Sequence, residues 1–340
     1  MHTAETVTLA RLPSGIDVET TVHTYGSGDD DGPTVYVQAA QHGREINGTE
    51  TLRRVHERLD SEELSGTLVA VPVADPLTFD RSSYTTPESL DSVHSNMNRV
   101  WPGDAEGSLH ERMAAALWEY AGEVDYIVDL HTGSPEMLTH TVYLQGDTES
   151  RRLAEAFGTD LLLAEAAGDD RKSDDLRANQ NSPGSGDDAD VEWSERNFGG
   201  KLRVAATRRG IPSITPELAH NKQLVEPAIE TGVRGVFNVL RELDMLPSDP
   251  ELPAEQTTAR NHLGRVTAAD SGLFHAAPDA ELGREVAEGD HLGRVYDPTT
   301  YEVLQEATAD RAGVVYSVCR EATVTAGQTL VGVAMPLDGA

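Results

Sequence analysis

Val35-Tyr36-Val37-Gln38-Ala39-Ala40-Gln41-His42-Gly43-Arg44-Glu45 decides how the rest of this chain is read. Its first half is a short apolar run with β-branched residues, the signal of a buried strand. It stops in a His-Gly-x-Glu turn, after which Ile46, Leu52, Val55 and Leu59 recur at roughly helical spacing. His42 and Glu45 stand three residues apart at the carboxyl end of that strand, so both can face one point. In open α/β sheets this is the edge that binds ligands. Two histidines and one glutamate, with a fourth position left to water, make a catalytic zinc arrangement.

A second strand, Val124-Asp125-Tyr126-Ile127-Val128-Asp129-Leu130-His131, also ends in a histidine. Alone, His131 reads more readily as a satisfied buried residue. Paired with the His-Gly-x-Glu turn it completes a His42, Glu45, His131 ligand set. Asp129, two residues back, points to the same side of a regular strand and suits a partner of the ligating imidazole. Glu217 follows a third strand signal, Ile211 to Thr215, and is expected just past that strand's end. A lone carboxylate opposite an activated water suits general base and then general acid work. The plain alternative is a helix cap after Pro216.

Between these stretches lies Asn96-Met97-Asn98-Arg99-Val100-Trp101-Pro102-Gly103. The guanidinium of Arg99 can fork onto a substrate carboxylate, with Asn98 as a neutral donor beside it. Arg81, earlier in the same polar loop, suits polarising a scissile carbonyl, though a surface salt bridge explains it equally well.

Two further strand signals (Thr67 to Val73, and a hairpin over 5–25) and helices over Leu109–Tyr120, Lys201–Arg209 and about Val225–Leu243 alternate with these strands. The pattern predicts an α/β fold: a mixed, largely parallel sheet flanked by helices. The stretch from Gly168 to Gly200 loses all apolar periodicity and reads as a long loop, either a solvated insertion or a lid. Pro247, Pro250 and Pro253 mark a linker between a catalytic domain, 1–250, and a small all-β domain, 256–340.

The 340 residues carry 58 acidic and 27 basic side chains, a formal net charge of −31. Nucleic acid and anionic membranes, which need a basic footprint, are not expected partners. Dispersed acidity with few lysines predicts adaptation to high salt. One cysteine, Cys319, precludes an intrachain disulfide, and no apolar run approaches the roughly 18 residues of a membrane span. The expectation is a soluble, cytoplasmic protein that binds a small molecule and can form a homo-oligomer.

Taken in order, His42-Gly43-x-Glu45, Arg81, Asn98-Arg99, Asp129-Leu130-His131-Thr132 and Glu217 resemble the succinylglutamate desuccinylase/aspartoacylase family of zinc-carboxypeptidase-like deacylases. The resemblance spans nearly the whole chain. It implies one Zn²⁺ per chain on His42, Glu45 and His131. Asn98 and Arg99 would then hold the substrate carboxylate, Arg81 the carbonyl, and Glu217 the water. Lys201-Leu202-Arg203 followed by Ile211 to Glu217 looks most like the N-acyl-diamino-acid deacetylase branch. Two departures bear on the substrate: Ala219-His220 stands where the family often has glycine, and Asn96-Met97 stands where it usually reads Asp-Leu. The C-terminal region also resembles the lipoyl/biotinyl barrel, but its turn Tyr296-Asp297-Pro298-Thr299-Thr300 has no carrier lysine. The implied function is zinc-dependent removal of an acetyl or succinyl group from a small N-acyl amino acid. A metallocarboxypeptidase on peptides, a zinc-dependent esterase and a non-catalytic zinc-binding homologue are the rival readings.

Overall fold

A computed structural model describes residues 1–26, 32–133, 136–166, 199–261 and 264–337. The long loop expected over 168–200 lies almost wholly outside the described residues. A hairpin of β1 (His2–Arg11) and β2 (Asp17–Gly26) forms one end of the main sheet. Next come β4 (Thr67–Val71), β3 (Thr34–Ala39), β5 (Tyr126–Gly133) and β9 (Ser213–His220), all parallel to one another. β7 (His140–Leu144) runs antiparallel to β9, and β8 (Leu161–Glu165) pairs parallel with β7. The short β6 (Glu136–Met137) leaves this path to pair with a C-terminal strand.

Alternation along each strand sends one set of side chains to each face. Val128, Leu130, Ile214 and Leu218 join a core with α1 (Asn47–Arg58), α4 (Thr148–Phe157) and α6 (Glu226–Glu242). Ile127 and Tyr36 face the opposite core, built by α3 (Leu109–Ala121) and α5 (Leu202–Arg209). The sheet is therefore covered on both faces, as its parallel centre requires. A four-residue helix, α2 (Pro76–Phe79), interrupts the segment read from sequence as a polar loop. Asp75 caps it by accepting from the backbone N–H groups of Leu77 and Thr78, and Pro76 supplies a fixed first-turn φ.

Beyond the linker, β10 (Thr257–Arg260) adds parallel to β8 and carries the main sheet onward. It hands over to β18 (Thr329–Pro336), which pairs with β11 (Arg265–Thr267) and β16 (Gly313–Val318). β16 in turn pairs with β13 (Glu285–Val286). A separate antiparallel sheet orders β15 (Val303–Thr308), β14 (His291–Tyr296), β12 (Gly272–Ala276) and β17 (Thr323–Val324). Phe274, Leu292, Val295, Val315 and Leu330 fill the space between the two.

One expectation is corrected. The third strand does not stop at Thr215: β9 continues to His220, so Glu217 lies inside it, and the next helix begins only at Glu226. Pro216 lacks an N–H and reads as a strand end, but β5 and β7 pair with β9 on either side and hold it extended. The sequence also left β6, β7, α4 and β8 unassigned.

Candidate metal centre and active site

The carboxyl ends of β3 and β5 lie side by side, and the site is built there. Ala40 turns the chain out of β3 with φ of 48°, a left-handed conformation that an alanine adopts only under constraint. Gly43 follows; a Cβ there would collide with the backbone of Thr78 and Phe79, so glycine lets the turn pack directly on α2. His42, Glu45 and His131 are all buried, and one ligand atom from each lies within 4.8 Å of the others. His131 Nδ1 and Glu45 Oε2 are 3.0 Å apart. Two donors each about 2.0–2.2 Å from one ion fit that separation.

The neighbours leave the ligand atoms open. His42 Nδ1 donates to the Tyr84 carbonyl at 2.9 Å, which directs Nε2 into the site, and the Tyr84 ring stacks on the imidazole at 3.9 Å. Asp129 Oδ2 stands 3.0 Å from His131 Nε2, so Nδ1 is the nitrogen on the Glu45 side. Asp129 is in turn held by the side-chain amides of Gln38 at 2.9 Å and Gln41 at 3.2 Å. Trp101 Nε1 donates to Gln41 Oε1 at 2.5 Å. Thr132 N donates to Glu45 Oε2 at 3.1 Å. These supports were invisible as a set in the sequence, because Gln38, Gln41, Trp101 and Asp129 come from three separate segments.

Burial lowers the His42 imidazole to about 4, outweighing the pull of Glu45, so it is a neutral donor. Burial alone would raise Glu45, but His42 and His131 overcome it and hold the carboxyl below its ordinary range. Glu217 behaves oppositely. Burial, reinforced by the negative charge of Glu45, raises it to about 7 against the opposing pull of His131. Two carboxylates in one site are thus driven apart, one anionic and one able to exchange a proton near neutrality. In the ladder Glu217 stands opposite His131, on the same face of the sheet.

Asn98 is 9% exposed, and its Nδ2 lies 3.5 Å from His131 Nε2. Arg99 is half-buried beside it, donating from Nη1 to the Asn98 carbonyl at 2.6 Å. The segment after the undescribed stretch is docked here: Gly200, with φ of 77°, abuts the Arg99 backbone so closely that any Cβ would clash. Trp101 N donates to the Gly200 carbonyl at 3.0 Å. That contact sets Lys201 near Arg99, with its ammonium 3.0 Å from Glu165 Oε1 at the end of β8. Burial, with Arg99 and Arg265 as neighbouring cations, lowers Lys201 to about 7. Arg203 pairs with the same buried Glu165. Glu165 had no functional reading from sequence, and Lys201 had one only as part of the Lys201-Leu202-Arg203 stretch, since only folding joins the two. Arg81 stands apart: it is exposed, and its Nη1 donates to the Leu77 carbonyl at 2.8 Å.

The fold sets a buried His-Glu-His group, able to hold a metal ion, at the edge of a parallel-centred α/β sheet. Residues 31–243 match the succinylglutamate desuccinylase/aspartoacylase catalytic domain, more than half of the chain. The chain belongs to this family, whose members are hydrolases that cleave an amide bond to release an acyl group from an amino acid. Among curated relatives, N-alpha-acetyl-L-2,4-diaminobutyric acid deacetylase of Halomonas elongata is 27% identical over 316 residues, covering 89% of this chain and 82% of the relative. A succinylglutamate desuccinylase/aspartoacylase structure from Rhodobacter sphaeroides superposes with a TM-score of 0.79 at 22% identity, covering 100% of this chain and 96% of that one. The product-bound ectoine utilization protein EutE (DoeB) from Ruegeria pomeroyi gives 0.79 at 21% identity, with coverages of 98% and 95%. These two likenesses establish the fold.

Proposed function

We propose that the chain is a zinc-dependent deacylase of a small N-acyl amino acid, with an N-acetyl diamino acid of the kind named for the Halomonas relative as first candidate. The observation that carries this reading is the buried His42, Glu45, His131 group with Glu217 opposite His131 on the neighbouring strand. Zinc held by these three residues supplies a Lewis acid for the amide carbonyl and lowers the pKa of water. Glu217 takes a proton from the attacking water and returns it to the leaving nitrogen. Asn98 and Arg99 hold the substrate carboxylate. Arg81 is assigned to the carbonyl oxygen, which requires its guanidinium to leave the Leu77 carbonyl that it now bonds.

Residues 1–250 are read as the catalytic unit and 256–340 as a structural unit without a carrier role. Among the described residues no helix is long and apolar enough to cross a membrane. A cytoplasmic setting at high salt is part of the same proposal, resting on the net charge of −31 and the lone cysteine.

The test is Glu217→Gln. The substitution keeps size and loses the proton exchange, so kcat on acetyl and succinyl amino acids is expected to fall about 10²–10⁴-fold. Zinc content, measured on the same sample, stays near one per chain. Near-normal kcat in this variant would overturn the mechanism.

A further inference from the structure

Glu217 has two cross-strand neighbours. On the β5 side it is His131; on the β7 side it is His140, directly opposite in the antiparallel register. Directly opposed residues share a face, with Cβ atoms about 4.5–5.5 Å apart. Tyr143 on β7 joins the core under α1 and α6, so His140, of opposite parity, lies on the face that carries Asp129, His131 and Glu217.

His140 is 3% exposed and fixed from two directions. Its Nδ1 lies 2.8 Å from the Leu138 carbonyl, which can only accept, so Nδ1 carries the proton. Tyr316 of β16 meets the ring edge-on, with centroids 5.6 Å apart at 83°. Leu138 N donates to the Tyr316 carbonyl at 2.8 Å, so the same C-terminal strand holds both the ring and its anchor. Burial lowers the imidazole to about 4, so it stays neutral. A neutral imidazole protonated on Nδ1 presents Nε2 as an acceptor, and Nε2 has no hydrogen-bond partner among the described residues.

We infer that His140 is a positioning residue for Glu217: its Nε2 accepts the O–H of Glu217 in the acid form and so orients the carboxyl between water and leaving group. The inference rests on the proposed role of Glu217. The proton balance is simple. Glu217 gains one proton from the attacking water and loses it to the amide nitrogen as the C–N bond breaks, while His140 keeps its own proton on Nδ1 throughout. The C-terminal unit takes part through Tyr316, which seats the ring.

The experiment compares His140→Leu with His140→Gln, whose side-chain oxygen can stand where Nε2 stands. Leu is expected to lower kcat about tenfold, the order of one lost hydrogen bond, with KM and zinc content unchanged. Gln is expected to restore most of the loss. Wild-type kcat in the Leu variant, or a change confined to KM, would overturn the inference.

A second measurement does not depend on turnover or on folding of the His140 variants. In ¹⁵N-histidine-labelled protein, Glu217→Gln places a permanent N–H donor beside His140, whereas Glu217→Ala places none. The Nε2 resonance is expected to move to the hydrogen-bonded position in the Gln protein only. The same resonance in both proteins would refute the pairing. Absence of any deacylation by wild type would refute the proposed function and leave this spectroscopic result to be judged separately.

Discussion

At the scale of single residues, the site separates two acidic groups by what surrounds each. Glu45 accepts from Thr132 N and lies 3.0 Å from His131, contacts that favour its anion. Glu217 has burial and the charge of Glu45 against it, and its pKa rises to about 7. A metal ligand must be deprotonated, whereas a proton shuttle must hold a proton part of the time. His131→Ala removes one of the three proposed ligands and leaves Asp129 buried without its imidazole partner. Zinc per chain is expected to drop well below one after dialysis against a weak chelator, as read by atomic absorption. Full occupancy in that variant would remove His131 from the ligand set. Ala219 offers a second residue-scale point. Its φ of 57° is the conformation that glycine adopts freely and alanine rarely.

At the scale of elements, the loop that bears Asn98 and Arg99 is pinned by one buried histidine. His110, near the start of α3, lies with Nε2 3.3 Å from Asp75 and Nδ1 3.1 Å from Asp91. Asp75 caps α2, and Asp91 also accepts from the backbone N–H groups of Val93, His94 and His110. Burial alone would lower His110, but the hydrogen bonds and charge of Asp75, then of Asp91, raise it above its ordinary 6.5. The stabilisation from this group is therefore complete below pH 6.5 and is lost as pH climbs through the raised folded value. Urea midpoints are expected to fall over that window in wild type, and His110→Gln to flatten the dependence. Breaking the pair costs about 3–5 kcal/mol, the scale for orphaning a buried charge. An unchanged slope in the variant would show that another group carries the effect.

At the scale of the whole molecule, the main sheet runs without interruption from β8 into β10 and β18. Val142, Leu161 and Leu163 share a core with Ala259, Tyr316 and Ala334, so the C-terminal residues cover apolar surface of the catalytic part. A chain ending at residue 250 would expose that surface and the edge of β8. Such a truncation is expected to be insoluble or aggregated by size-exclusion chromatography. A monodisperse, zinc-binding fragment would contradict this. The net charge of −31 acts over the entire surface, and its self-repulsion is screened by salt. The thermal midpoint is expected to climb steadily from low salt to molar KCl. A midpoint independent of salt would remove the high-salt reading.

The order of residues was enough to give the fold class and to single out His42, Glu45 and His131, which converge in one buried group able to hold a metal ion. Apolar strands ending in His42 and His131 are local patterns, and a strand end in a parallel sheet has one place to go. Local signals for β7, α4 and β8 were also present: alternating Thr141 and Tyr143, the Asp147 cap that accepts from Ser150 N, and the left-handed Gly158 that ends the helix. The tertiary structure alone decided where Glu217 sits. A proline reads as a break along the chain, but ladders on both sides of β9 keep it extended and set Glu217 between His131 and His140. It also decided the partners of Asp129 and the meeting of Lys201 with Glu165. Side-chain alternation is written in the order of residues, whereas register between distant strands is fixed only when their buried faces are matched.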